Sequence, residues 1–224
     1  MGRRGPAGRV ASQAQAEGPS RTEIWRIEGR TLTIGVTGSI GSGKSTLCRL
    51  FGEWGATVLD ADRMAHLALE EPAVQAQIVS RFGQDLVTAG EMDRRELGRL
   101  AFGSDENREA LTDIVWPAVG RFLKVGVEEA NPDRPIVIEA PVLLEWGDPD
   151  GLCEVVVVVT APEAIRVART VERLGISEEE VRERARHQMP EAEKIEHADH
   201  VIANDADLDT LRGRARRLWE TLTE

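Results

Sequence analysis

The octapeptide Gly38-Ser39-Ile40-Gly41-Ser42-Gly43-Lys44-Ser45 constrains this chain more than any other feature. It fits the pattern G-x-x-x-x-G-K-[ST]. With 21 Gly, 3 Lys and 21 Ser plus Thr among 224 residues, chance supplies about 0.002 such matches. The flanks agree with the motif. Residues 31–36 are short, β-branched and apolar, the pattern of a buried strand entering a loop. Residues 45–53 follow, and Leu47, Leu50, Phe51 and Trp54 fall on one face of a helix. Gly38, Gly41 and Gly43 let backbone N–H groups turn inward around phosphate oxygens. The helix start adds its positive dipole end. Lys44 is placed to reach the β- and γ-phosphates and Ser45 to hold Mg²⁺.

The remaining strands predict the same architecture. Residues 57–59, 135–138, 154–160 and 200–203 read as four more, and those at 135–138 and 154–160 are continuous apolar runs. Such runs belong to strands covered on both faces. Helices between strands argue for a parallel α/β sheet. The expected fold is a five-stranded parallel sheet around the phosphate loop, flanked by helices and closed by an amphipathic helix over 208–222. Residues 62–130 read as helices broken near Glu71-Pro72, Gly83, Gly90 and Trp116-Pro117. They form an inserted helical subdomain, and the Arg-rich stretch 163–199 forms a lid. The core is then 31–60, 131–162 and 200–224, with the subdomain at about 61–130.

Net charge is −11, which argues against coating nucleic acid or an anionic membrane by bulk charge. The longest apolar run, residues 155–159, is far short of a membrane span. Cys48 and Cys153 make neither a zinc site nor a disulfide scaffold and fit a reduced, cytoplasmic protein. Residues 1–30 hold six Arg and three acids with few large apolar groups. They read as a disordered extension, with Ile24, Trp25 and Ile27 available for loose pairing with the domain edge. An Arg-rich targeting peptide is the alternative.

Whether the phosphate goes to water or to another acceptor depends on residues outside the loop. Asp60 and Asp62 end the second strand, where ligands of open α/β sheets bind. One carboxylate there can orient or deprotonate an attacking hydroxyl, while the other holds Mg²⁺ or caps the next helix. Glu139, after the third strand, can reach the metal, and Glu145 can cap or brace the loop. Arg166, Arg169 and Arg173 share a helix face, and Arg169 and Arg173 are candidates to meet phosphates. Arg182, Arg184 and Arg186, interleaved with Glu178, Glu179, Glu180 and Glu183, read as a solvated, salt-laced face. His66, His187, His197 and His200 have surface or packing roles, and Trp54, Trp116, Trp146 and Trp219 pack.

Taken together, these residues resemble the dephospho-coenzyme A kinase family, which transfers the ATP γ-phosphate to the ribose 3′-hydroxyl of dephospho-CoA. The resemblance runs from Thr31 to about Leu211. Thr37 to Thr46 looks like the family's loop, which implies nucleotide contacts from Gly38, Gly41, Ser42, Gly43, Lys44, Ser45 and Thr46. Val58-Leu59-Asp60-Ala61-Asp62 looks like its acidic motif. Met92-Asp93-Arg94-Arg95-Glu96-Leu97 and Ala101-Phe102 look like its substrate subdomain, and Pro141-Val142-Leu143-Leu144-Glu145 like its segment after strand three. Arg169, Arg173, Gln188, Ala198-Asp199 and Asn204 match its lid and last strand. The resemblance implies catalysis by Asp62, Lys44 and Arg169, and acceptor contacts from Asp60, Asp62, Arg94, Trp116 and Pro141. It implies a metal site at Ser45, Asp60 and Glu139, with ATP and Mg²⁺ as co-substrate and cofactor. The expected working unit is a monomer. Two positions depart from the family: Trp116 stands where His is usual, and Glu139 where Asp is usual. Both bear on the acceptor or the metal and leave ATP binding intact. The other readings are a kinase for a different alcohol or nucleoside acceptor, and an ATP-binding regulator without transfer.

Overall fold

The computed structural model describes residues 32–88, 91–101, 103–146 and 151–223. The N-terminal extension and Phe102 lie outside them, as does the side chain of Trp146. Strand β1 (Thr33–Thr37) is fully buried. It leads through the phosphate loop into α1 (Lys44–Glu53). Then come β2 (Thr57–Asp60), α2 (Ala61–Ala68), α3 (Pro72–Phe82), β3 (Val87–Thr88) and β4 (Glu91–Met92). Helices α4 (Arg94–Ala101) and α5 (Asp105–Glu129) complete the first insertion. Strand β5 (Ile136–Glu139), α6 (Leu143–Trp146) and β6 (Val155–Thr160) return to the sheet. The second insertion is α7 (Glu163–Leu174), α8 (Glu178–Arg186) and α9 (Glu191–Glu196). Strand β7 (His200–Ala203) and α10 (Leu208–Thr223) end the fold.

The main sheet has the order β2-β5-β1-β6-β7 and is parallel throughout. Its central strand β1 therefore delivers the phosphate loop between the C-terminal ends of β5 and β6. Alternate side chains leave each strand on opposite faces, so the core has two parts. On one face Ile34, Val36, Val155, Val157 and Val159 pack with Leu47, Phe51 and Trp219 of α1 and α10. The Phe51 and Trp219 rings lie 5.3 Å apart. On the other face Ile136, Ile138 and Leu143 pack with Ile78, Val119 and Leu123 of the first insertion. Gly35 makes the close approach of α6 possible. A Cβ there would sit 2.6 Å from Leu143 Cδ2 and 2.9 Å from Cys153 Sγ.

Two expectations for the first insertion are corrected. Helix α5 is not broken at Trp116-Pro117: it runs through Pro117 for 25 residues. Proline there removes one helical hydrogen bond, but Val115, Ala118, Val119 and Leu123 on both sides of it are buried. Packing of that stripe holds the two halves in one helix. Nor is the insertion all helix, because β3 and β4 pair antiparallel. The sequence 84–93 contains too few residues for a periodic signal.

Candidate active site

The phosphate loop takes left-handed or open backbone at three glycines, with φ of 146° at Gly38, 77° at Gly41 and 101° at Gly43. Side chains are excluded there for a second reason. A Cβ at Gly38 would lie 2.3 Å from Val159 O, and one at Gly41 would lie 2.4 Å from Arg166 O. At Gly43 the obstacle is Asn204 Nδ2, at 2.2 Å. The loop is thus seated against β6, α7 and the end of β7. Asn204 fixes it from below by donating to Ser42 O at 2.8 Å.

A cavity of about 430 Å³ opens over the loop, lined by Gly41, Gly43, Lys44, Ser45 and Thr46 on one side. Arg169, Arg173 and Gln188 of the second insertion line the other. Lys44 is buried, and its Nζ donates to Gly38 O at 2.8 Å and Ser39 O at 3.2 Å. Burial lowers its pKa to about 8 and Lys194 adds to the effect, against the opposing pull of Glu139 and Asp62. An amine so poorly solvated is primed to take an anionic partner.

Ser45 Oγ donates to Glu139 Oε1 at 2.6 Å. The Glu139 carboxyl titrates above its ordinary range, because it is withdrawn from water and because Asp60 and Asp62 are near. Hydroxyl and carboxylate oxygens are hard donors of the kind Mg²⁺ takes. Among the described residues no cluster of three or more His, Cys, Asp or Glu could hold a metal ion by itself.

The two aspartates separate. Asp60 caps α2: its Oδ1 accepts from Asp62 N at 2.9 Å and Arg63 N at 3.2 Å. Asp60 does not line the cavity, whereas Asp62 does. Desolvation and the neighbouring Asp60 raise the Asp62 pKa, and Lys44 and His66 oppose them. An acid shifted upward in this way is a better proton acceptor than an ordinary carboxylate.

A second cavity, about 350 Å³ and mostly apolar, lies between the two insertions. It shares Ile40, Asp62, Pro141 and Gln188 with the first. Those four residues mark where the cavities meet. Gln188 ties the second insertion to the phosphate loop there, its Oε1 accepting from Ile40 N at 2.8 Å. A third cavity, about 490 Å³, is lined by Trp116, Arg108, Asp113, Glu145 and His187. Trp116 is therefore one cavity removed from Asp62. Arg94 is brought to none of the three. It is exposed and paired with Glu70 at 2.9 Å. Arg182, Arg184 and Arg186 are all exposed, as a solvated face requires. Arg182 and Arg186 are paired with Glu178 and Glu183, and Arg184 also lines the apolar cavity.

Sequence reasoning passed over Lys194. Its side chain is fully buried and its Nζ bonds Glu145 Oε1 at 2.6 Å and Pro141 O at 3.1 Å. Glu145 also accepts from Met189 N. This strut joins the loop after β5 to the base of the second insertion. The signal available was scarcity, since Lys194 is one of only three lysines. Lys194→Met is expected to lower folding stability by about 3 kcal/mol, because it strands a buried carboxylate. The double variant Glu145→Leu/Lys194→Met should recover most of that in chemical denaturation.

The sequence model of the family described as "Dephospho-CoA kinase" matches residues 32–210. A protein named dephospho-CoA kinase from Corynebacterium diphtheriae is 40% identical over 191 residues, covering 84% of this chain and 95% of its own length. One of the same name from Thermus thermophilus is 39% identical over 193 residues, covering 86% and 92%. Among solved structures, TT1252 from Thermus thermophilus superposes with a TM-score of 0.74 at 37% identity, covering 87% of this chain and all of that one. Shikimate kinase from Acinetobacter baumannii shares the fold, with a TM-score of 0.52 at 14% identity over 90% and 96% of the two chains.

Proposed function

The chain belongs to the dephospho-CoA kinase family, and from that premise we propose how its residues divide the work. The reaction is ATP-dependent phosphorylation of the ribose 3′-hydroxyl of dephospho-CoA, giving CoA and ADP. The observation that carries the residue assignment is the shared wall of the two cavities, because a transferred phosphoryl must pass between two bound substrates.

ATP phosphates lie on the loop amides from Gly41 to Thr46, with Lys44 swinging from Gly38 O to the β/γ-phosphates. Arg169 and Arg173 close over the same phosphates and spread the charge of the transition state. Ser45 and Glu139 would hold Mg²⁺, which would neutralise phosphate charge there. Glu139 and Ser45 are already linked by a hydrogen bond of 2.6 Å, which keeps both oxygens on the same side of the cavity. Asp62 takes the proton of the 3′-hydroxyl. Asp60 serves as the cap that starts α2 and so aims Asp62 at the cavity. Pro141 forms part of the wall against which the acceptor sits. Arg94 acts away from the site, and Trp116 belongs to the outer cavity. The two free, buried cysteines Cys48 and Cys153 fit a reduced, cytoplasmic setting. A monomer is the proposed working unit. Among the described residues no helix is long and apolar enough to cross a membrane.

ADP release from purified protein, with ATP and Mg²⁺, tests the reading. Fast turnover should require dephospho-CoA and should not appear with adenosine or with no acceptor. Turnover independent of the acceptor would refute it. Gln188→Ala should lower kcat about tenfold by freeing the lid from Ile40 N–H. It should also raise ADP release without acceptor, since a loosened lid admits water. Unchanged values of both would remove Gln188 from the mechanism.

A further inference from the structure

Arg108 of α5 and Arg184 of α8 leave different insertions yet line the same cavity, together with His187. Its walls are otherwise largely aliphatic, and its one acid is Asp62, at the end shared with the nucleotide cavity. Arg184 is exposed and Arg108 half-buried, so the cavity presents two solvent-accessible guanidinium groups, which suit an anionic ligand. Arg108 is already steered. Asp105 pairs with it at 2.9 Å, and its Nη1 meets His187 Nδ1. Glu183 stands 3.6 Å from the other ring nitrogen of His187. Arg184 has no hydrogen bond or ion pair among the described residues, although Arg182 and Arg186 on the same helix are both paired.

We propose that Arg184 and Arg108, with His187 beside them, bind the 5′-diphosphate of the acceptor. The inference rests on the reading that Asp62 receives the reacting 3′-hydroxyl. In dephospho-CoA the diphosphate is attached to the same ribose as that hydroxyl, and it is the only strongly anionic group of the molecule. With the hydroxyl at Asp62, the diphosphate falls about one ribose away, inside the cavity that holds the two arginines. The adenine and the pantoyl methyls are neutral and suit the aliphatic walls. A guanidinium fork matches two phosphate oxygens at once. Plain nucleosides lack the diphosphate and are discriminated against.

Steady-state kinetics of Arg184→Gln, Arg108→Gln and the paired neighbour Arg182→Gln test this. Arg184→Gln should raise the KM for dephospho-CoA at least about tenfold. Its KM for ATP should stay within about twofold and its kcat within about threefold. The increase of dephospho-CoA KM with salt should become shallower, since one charged contact is gone. Arg108→Gln should act in the same direction, and Arg182→Gln should resemble the wild type. A dephospho-CoA KM for Arg184→Gln within twofold of wild type, a parallel rise in both KM values, or an unchanged salt slope would overturn the proposal. Failure of the underlying reading is separate, because wild-type protein would then show no dephospho-CoA-dependent ADP release at all.

Discussion

Asp62→Asn is expected to lower kcat for dephospho-CoA by about 10²–10⁴-fold while leaving the ATP KM within about twofold. Asparagine keeps the shape and loses the basic oxygen. The fold should survive, because the cap of α2 is supplied by Asp60 and not by Asp62. The converse variant separates the roles: Asp60→Ala should cost about 1 kcal/mol of stability through the lost cap and reduce kcat far less. Equal losses of kcat from the two variants would mean that the proton does not go to Asp62. Desolvation raises the Asp62 pKa, so the acid limb of the kcat profile should lie above the range of an ordinary carboxylate. That limb should vanish in Asp62→Asn.

Lys44→Met combines two opposite effects. Turnover should fall by about 10²–10³-fold or more, since a cation is removed from the site of developing charge. Ligand-free protein should nonetheless become more stable by about 1–2 kcal/mol at pH 7, seen as a higher Tm. The reason is that the native state holds Lys44 with a pKa near 8 against an ordinary value of 10.5. Burying the protonated amine is therefore unfavourable, and two hydrogen bonds to loop carbonyls offset the cost only in part. The sign follows from linkage. Below pH 8 both native and unfolded chains carry the proton and the full cost applies. Between pH 8 and 10.5 only the unfolded chain keeps it, so wild-type stability rises with pH and the advantage of the variant shrinks. A less stable Lys44→Met protein at pH 7 would contradict this account.

Much of the fold was legible because it is written in local patterns. The apolar strands at 135–138 and 154–160 and the glycine loop need no knowledge of distant residues to be recognised. What escaped was set by packing between segments far apart in the chain. Continuity of α5 across Pro117 depends on burial of its stripe against α2, α3 and α4, and nothing in residues 105–129 announces it. Asp60 and Asp62 carry the same functional group, and only the direction of the backbone after β2 assigns one to a cap and the other to a cavity. Arg184 sits among acids in sequence, and only the packing of the two insertions brings it to the apolar cavity. The Lys194–Glu145 pair joins residues 49 positions apart, a separation that composition alone leaves unmarked.

The sheet divides the hydrophobic interior into two bodies, and that division sets the phosphate grip apart from the acceptor's surroundings. The phosphate grip is braced chiefly by the body beneath α1 and α10. The acceptor's surroundings grow from the body on the opposite face. Mutations that reshape the second body leave the first intact, so new acceptors can be explored without losing the nucleotide. Local opening should respect the same boundary, with amides of the first insertion exchanging in a separate cooperative unit from those of β1 and α1. A scaffold split in this way can keep one chemistry constant while its choice of alcohol changes.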